Sequence, residues 1–208
     1  MKTTSEEMFE KFLTENNNLP FEKIKEEDSP RPDYLVQVGE LKLVFEVKEL
    51  AEDENFGVLK NFLRPDIKVH SRTLGDHVRS KISDAKKQIQ YAAKQGLPSI
   101  LVLYNNIDPL HMFGTEDMDF ISAMYGETTV ILNKKTKAVS ESFQGKNQSL
   151  SAIKNTSFSS VARLRPYSGK MTLTLFENVF SKVKIPYEQL PPCFEVKRVE
   201  ISDEPIQL

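Results

Sequence analysis

The chain has 208 residues, 39% hydrophobic and 28% charged, with a formal net charge of −2. That length suits one α/β domain with a sizeable core, or one domain with an added subdomain. No apolar run approaches the roughly 20 residues that span a bilayer, and the opening MKTTSEE does not read as a secretory signal. The single cysteine, Cys193, excludes an internal disulfide, so a reducing cytoplasm is the expected compartment, with no membrane segment.

Thr4 to Glu15 is expected to be a helix capped by Thr4 or Ser5, with acids in its first turn. Met8, Phe9, Phe12 and Leu13 form its apolar stripe. At about 100° per residue, Glu6 falls beside Leu13 at the edge of that stripe, Glu10 lies slightly further out, and Glu7 faces solvent. Phe21 to Lys25 reads as a short strand running into the acidic loop Glu26-Glu27-Asp28. Ser29-Pro30-Arg31-Pro32 is then stiff and extended, because residues before proline avoid the helical region.

The chain is organised around the next stretch, Arg31 to Leu50, RPDYLVQVGELKLVFEVKEL. Apolar and polar residues alternate on both sides of Gly39-Glu40, which predicts a two-residue II′ hairpin with glycine supplying the positive φ. Counting outward pairs Val38 with Leu41, Val36 with Leu43, Tyr34 with Phe45, and Asp33 with Glu46. One face then carries Tyr34, Val36, Val38, Leu41, Leu43, Phe45 and Val47. The other carries Asp33, Leu35, Gln37, Lys42, Val44, Glu46 and Lys48. Opposed carboxylates have Cβ atoms about 4.5–5.5 Å apart and at an effective dielectric near 20 repel by roughly 3 kcal/mol. A shared proton, a lysine or a divalent cation must offset that. Lys48 lies about 6.6–6.8 Å along the strand from Glu46 on the same face. Two carboxylates suit a Mg²⁺ that keeps several waters.

Residues 51–75 are the least readable stretch. Lys60, Arg64, Lys68, His70 and Arg72, among Phe56, Phe62 and Ile67, fit either a nucleic-acid-contacting flap or a structural excursion. Asp76 to Gln95 is the best helix, ended by Gly96 and Pro98. Its stripe is Val78, Ile82, Ala85, Ile89 and Ala92, with Gln88 near one flank and Arg79 off it. Ser99 to Tyr104 reads as a buried strand. A helix over 117–125, a strand over 128–132, and paired strands over 158–164 and 171–176 are expected beyond it, with a frayed tail over 202–208. Charge is uneven: 60–94 hold 9 basic and 3 acidic residues and 133–170 hold 8 and 1, whereas 1–58 hold 7 and 15. Two basic blocks around an acidic site suit a phosphodiester substrate.

Pro32-Asp33, a hairpin, then Glu46-Val47-Lys48 resembles the PD-(D/E)XK nuclease superfamily. The likeness extends over residues 4–104 and, more loosely, to Leu173–Pro186, which is similar to the closing segment of uncharacterised bacterial members. It implies a restriction-endonuclease-like α-β-β-β-α-β core with a mixed sheet, flanking helices and added C-terminal strands over 128–200, in a single domain. It also implies a Mg²⁺-dependent nuclease, with Mn²⁺ able to substitute, acting on DNA and more as an endonuclease than an exonuclease. Asp33, Glu46 and the Val47 carbonyl would hold the metal, with Glu6, or Glu10 in reserve, as a further ligand. Lys48 would act on the attacking water, Gln88 would approach the site, and Arg79 would meet phosphate. A non-catalytic nucleic-acid-binding or interaction module on the same fold is the alternative, and a small-phosphoester hydrolase is a third. A homodimer is left open.

Overall fold

The computed structural model describes residues 2–16, 19–25, 29–51, 73–107, 110–139 and 143–199. The expected flap residues Lys60, Arg64, Lys68, His70 and Arg72, the loop 26–28 and the tail 202–208 lie outside the described residues.

Helix α1 (Thr4–Glu15) has the expected limits, but its cap is Thr3 instead of Thr4 or Ser5. Thr3 Oγ1 accepts the Glu6 N–H at 3.3 Å and Glu6 Oε2 accepts the Thr3 N–H at 2.8 Å. Thr3 and Glu6, three residues apart, thus close a capping box. Strand β1 (Phe21–Lys23) follows, then β2 (Tyr34–Val38) and β3 (Leu41–Leu50). The hairpin has the expected register, from Val38↔Leu41 out to Tyr34↔Phe45. Gly39 has φ +59 and Glu40 is not in the left-handed region, the sign pattern of a II′ turn.

The expected long helix is two: α2 (Asp76–Asp84) and α3 (Lys86–Ala93). Ala85 opens to ψ −4 between them, yet hydrogen bonds from Ala85 to Lys81 and from Ile89 to Ala85 cross the break. The bend keeps both Ile82 and Ile89 buried against a sheet that twists. Strand β4 (Ser99–Asn105) is buried throughout, followed by α4 (Asp117–Tyr125), β5 (Thr128–Thr129), β6 (Phe143–Gln144), β7 (Ser160–Tyr167), β8 (Lys170–Glu177) and β9 (Phe194–Lys197). Seven strands form one mixed sheet in the order β1-β2-β3-β4-β7-β8-β9.

Two expectations from the second half need correction. The strand over 128–132 shrinks to Thr128–Thr129, paired only with β6. Val130, Ile131 and Leu132 are exposed, so their apolar pattern has no core to meet. Arg165-Pro166-Tyr167 is not a loop but the end of β7, opposite β8. Pairing of β4 with β7 stops at Leu164, so the N–H that Pro166 lacks is not needed there.

Apolar residues cover both faces of the sheet. On one, α1 packs Phe9 against Tyr34 and Phe45, with ring centroids 5.3 and 5.0 Å apart. On the other, α2, α3 and α4 bury Val78, Ile82, Ile89 and Phe120 with Leu101 and Leu103. No helix among the described residues is long and apolar enough to cross a membrane.

Candidate active site at the open end of the hairpin

Strand β2 begins only at Tyr34 while β3 runs on to Leu50, leaving β3 without a strand partner on that side beyond Phe45. Asp33 takes over. Its N–H donates to the Phe45 carbonyl at 3.0 Å, and its Oδ2 accepts the Val47 N–H at 2.7 Å. The carboxylate therefore stands in for the next carbonyl of the missing strand. Val44 donates to Pro98 toward β4, and in a strand alternate residues turn both N–H and C=O to the same neighbour. The Val47 carbonyl is thus directed to the Asp33 side.

Glu46, one residue beyond the last β2–β3 pair, lies beside Asp33 on the face covered by α2 and α3. It is 1% exposed. Lys48 Nζ lies 2.7 Å from Glu46 Oε1, whereas Glu46 Oε2 is buried with no hydrogen-bond donor. Burial first, and then the Asp33 charge, push the Glu46 carboxyl up to about 7. Burial also raises Asp33, against the Val47 hydrogen bond and Lys48. Lys48 is held above its ordinary value: burial opposes its charge, but the Glu46 contact and the charges of Asp33 and Asp84 outweigh it.

Asp33, Val47 and Lys48, with Glu46 buried behind them, line a cleft of about 830 Å³ together with acids Glu6 and Glu49 and with Lys2, Lys23, Lys25 and Lys81. Glu6 reaches the cleft from α1, but both its oxygens are engaged: Oε1 with Lys23 at 2.6 Å and Oε2 with the Thr3 N–H. Burial opposes its ionisation, yet Lys23 and Thr3 outweigh that and hold it below the ordinary value. Glu10 instead accepts from the Tyr34 hydroxyl at 2.9 Å and pairs with Lys2. No three acidic, imidazole or thiol side chains gather into a metal-binding cluster among the described residues. Glu49 lies across the strand from the acid pair and accepts from the Ser5 N–H and from Asn106.

Two helix residues sit elsewhere than the resemblance implied. Arg79 donates to the Ser122 carbonyl at 3.1 Å, to the Leu74 carbonyl and to Asp76, so it ties the start of α2 to α4. Gln88 is half-buried on α3 and does not line the cleft; its Oε1 is buried without a hydrogen-bond partner. Helix α2 supplies Lys81 and Asp84 instead, with Asp84 three residues after Lys81 and four before Gln88. Sequence reasoning also missed Lys23 and Lys25, which lie in a segment of net negative charge. Their only signal was proximity to a strand that pairs with β2.

Comparison with protein-family models, with curated proteins and with solved structures returned no match.

Proposed function

We propose that this protein is a divalent-metal-dependent nuclease that hydrolyses phosphodiester bonds in DNA, on a fold of the PD-(D/E)XK kind. The observation that carries the reading is the Asp33–Glu46 pair, with Lys48 on one Glu46 oxygen and the other oxygen buried without a donor. An unsatisfied buried carboxylate oxygen is costly, and a cation between the two acids would remove both that cost and their repulsion. The element order α1-β1-β2-β3-α2/α3-β4 and the antiparallel, antiparallel, parallel pairing of the first four strands agree with the resemblance.

Asp33, Glu46 and the Val47 carbonyl would hold the metal, hard oxygen ligands suited to Mg²⁺ with waters in the remaining positions and Mn²⁺ as a substitute. Bound there, it would supply Lewis acidity and a template for the attacking water and the phosphate. Lys48, charged at neutral pH, orients that water by hydrogen bonding and stabilises charge developing on the phosphate. Glu6 acts through Lys23, which it fixes at the cleft wall. The lysines hold the backbone on either side of the cut.

The test is incubation of supercoiled and single-stranded DNA with Mg²⁺ or Mn²⁺, against EDTA and against Asp33→Asn. Metal-dependent cleavage lost in the variant is expected. Absence of cleavage with every divalent metal, while DNA is still bound, would return the protein to the binding-module reading.

A further inference from the structure

A second, smaller cavity of about 180 Å³ adjoins the cleft, and Ile24 lines both. Its floor is the Leu35–Val44 pair. These residues stand on the same sheet face as Asp33 and Glu46, one side-chain repeat along, or about 6.6–6.8 Å. Pro32, immediately before Asp33, and Leu97 add apolar walls. Tyr91 of α3 supplies an aromatic ring, with the Arg31 guanidinium 5.7 Å from its centroid. Gln95 adds an amide at the rim.

The segment from α2 through α3 to Gln95 runs between the two spaces. Lys81 lines the cleft, while Tyr91 and Gln95 line the cavity. Spacings of three, four and seven residues place Gln88 between them, and its buried Oε1 has no hydrogen-bond partner. The cavity is smaller than the roughly 300–1,000 Å³ of sites that enclose drug-sized ligands. It suits one flat heterocycle. An apolar slot with an aromatic ring, a guanidinium and an amide matches the way proteins hold unstacked bases, by stacking on aromatic or arginine planes with hydrogen bonds to the base edge.

We propose that the cavity formed by Leu35, Val44, Pro32, Leu97 and Tyr91 receives one unstacked nucleobase of the strand whose phosphate lies at Asp33 and Glu46. This rests on the nuclease reading and names its substrate class: a strand that is single or locally unpaired, since a paired base cannot enter. Tyr91 and Arg31 hold the base and Gln95 meets its edge. None of the three touches the reacting atoms, so they are specificity residues.

The experiment measures binding of a fluorescent single-stranded oligonucleotide by anisotropy, with Ca²⁺ in place of Mg²⁺, for the parent chain, Tyr91→Ala and Tyr91→Phe. Alanine replacement of a base-stacking side chain should weaken binding roughly ten-fold, with Tyr91→Phe close to the parent and fully paired duplex hardly affected. A set of oligonucleotides abasic at successive positions should contain one that binds the parent as weakly as the intact strand binds Tyr91→Ala, and on which Tyr91→Ala has no additional effect. Gln95→Trp, at an exposed position, should block the cavity and give the same loss even if Tyr91→Ala proves unstable. Equal affinity of the parent, Tyr91→Ala and Gln95→Trp for the single strand overturns the proposal, as does an equal loss on duplex. Because this readout needs no cleavage, it is separable from the nuclease reading. Cleavage with an unaffected Tyr91→Ala rejects the base pocket alone, and base-dependent binding without cleavage rejects the nuclease alone.

Discussion

Lys48 holds one oxygen of Glu46 at 2.7 Å and leaves the other, buried beside Asp33, without a donor. One ammonium thus faces two carboxylates whose joint ionisation burial disfavours. The metal-free site is charge-frustrated, and its behaviour toward metal, pH and substitution follows from that.

Replacing Lys48 by Met preserves the aliphatic stem while removing the charge. Removing one preorganised electrostatic group typically costs about 10²–10³ in rate. Lys48→Met should therefore lose at least that factor in single-turnover cleavage while keeping its fold and most of its DNA affinity. A variant that cuts as fast as the parent would refute the role given to this lysine.

Metal should stabilise the folded chain by mass action, because only the folded state brings Asp33 and Glu46 together. A melting temperature that climbs through a Mn²⁺ titration is expected. Asn at position 33 can still accept the Val47 N–H but cannot contribute charge. Asp33→Asn should abolish the climb and raise the melting temperature of the metal-free protein. A flat titration of the parent chain would mean that no site is preformed.

The pH dependence has a definite sign. Glu46 moves from an ordinary value of 4.5 up to about 7 on folding, so the native state binds more protons between those values. Its contribution favours folding of the metal-free protein below about pH 4.5 and is lost as pH rises through about 7. The loss amounts to roughly 3 kcal/mol. Metal needs the ionised carboxylate, so Mg²⁺ affinity should rise over the same interval and level off above it. Denaturant unfolding of Glu46→Gln without metal should remove most of this slope; a slope unchanged by the substitution would assign it to another group.

Lys25 and Lys81 both line the cleft. If both meet phosphates, alanine at either position should weaken DNA binding about equally for all sequences and lower the salt slope by roughly one. Cleavage at saturating DNA should hardly change. Affinities at a series of salt concentrations would show it, and an unaltered slope would place the backbone elsewhere.

The acid pair was legible because its placement is local. A two-residue turn at Gly39-Glu40 and a side-chain period of two bring Asp33 opposite Glu46 whatever the rest of the chain does. The apolar face of Tyr34, Val36, Leu43 and Phe45, the limits of α1, and the buried run of β4 were readable for the same reason: each depends on periodicity within a dozen residues. Burial of Glu46 was not readable, because α2 and α3 cover its face of the sheet only after the chain crosses from β3 to β4. The duties of the polar helix residues depend equally on distant neighbours. Arg79 meets carbonyls of α4, and Glu6 is held by Lys23 because β1 pairs with β2. Charge counted along the chain failed where charge gathered in space mattered: Lys2, Lys23 and Lys25 belong to the most acidic segment, yet they meet Lys81 at the cleft. Spacing along one strand is set by covalent geometry, whereas the company a side chain keeps is set by packing between elements far apart in the chain.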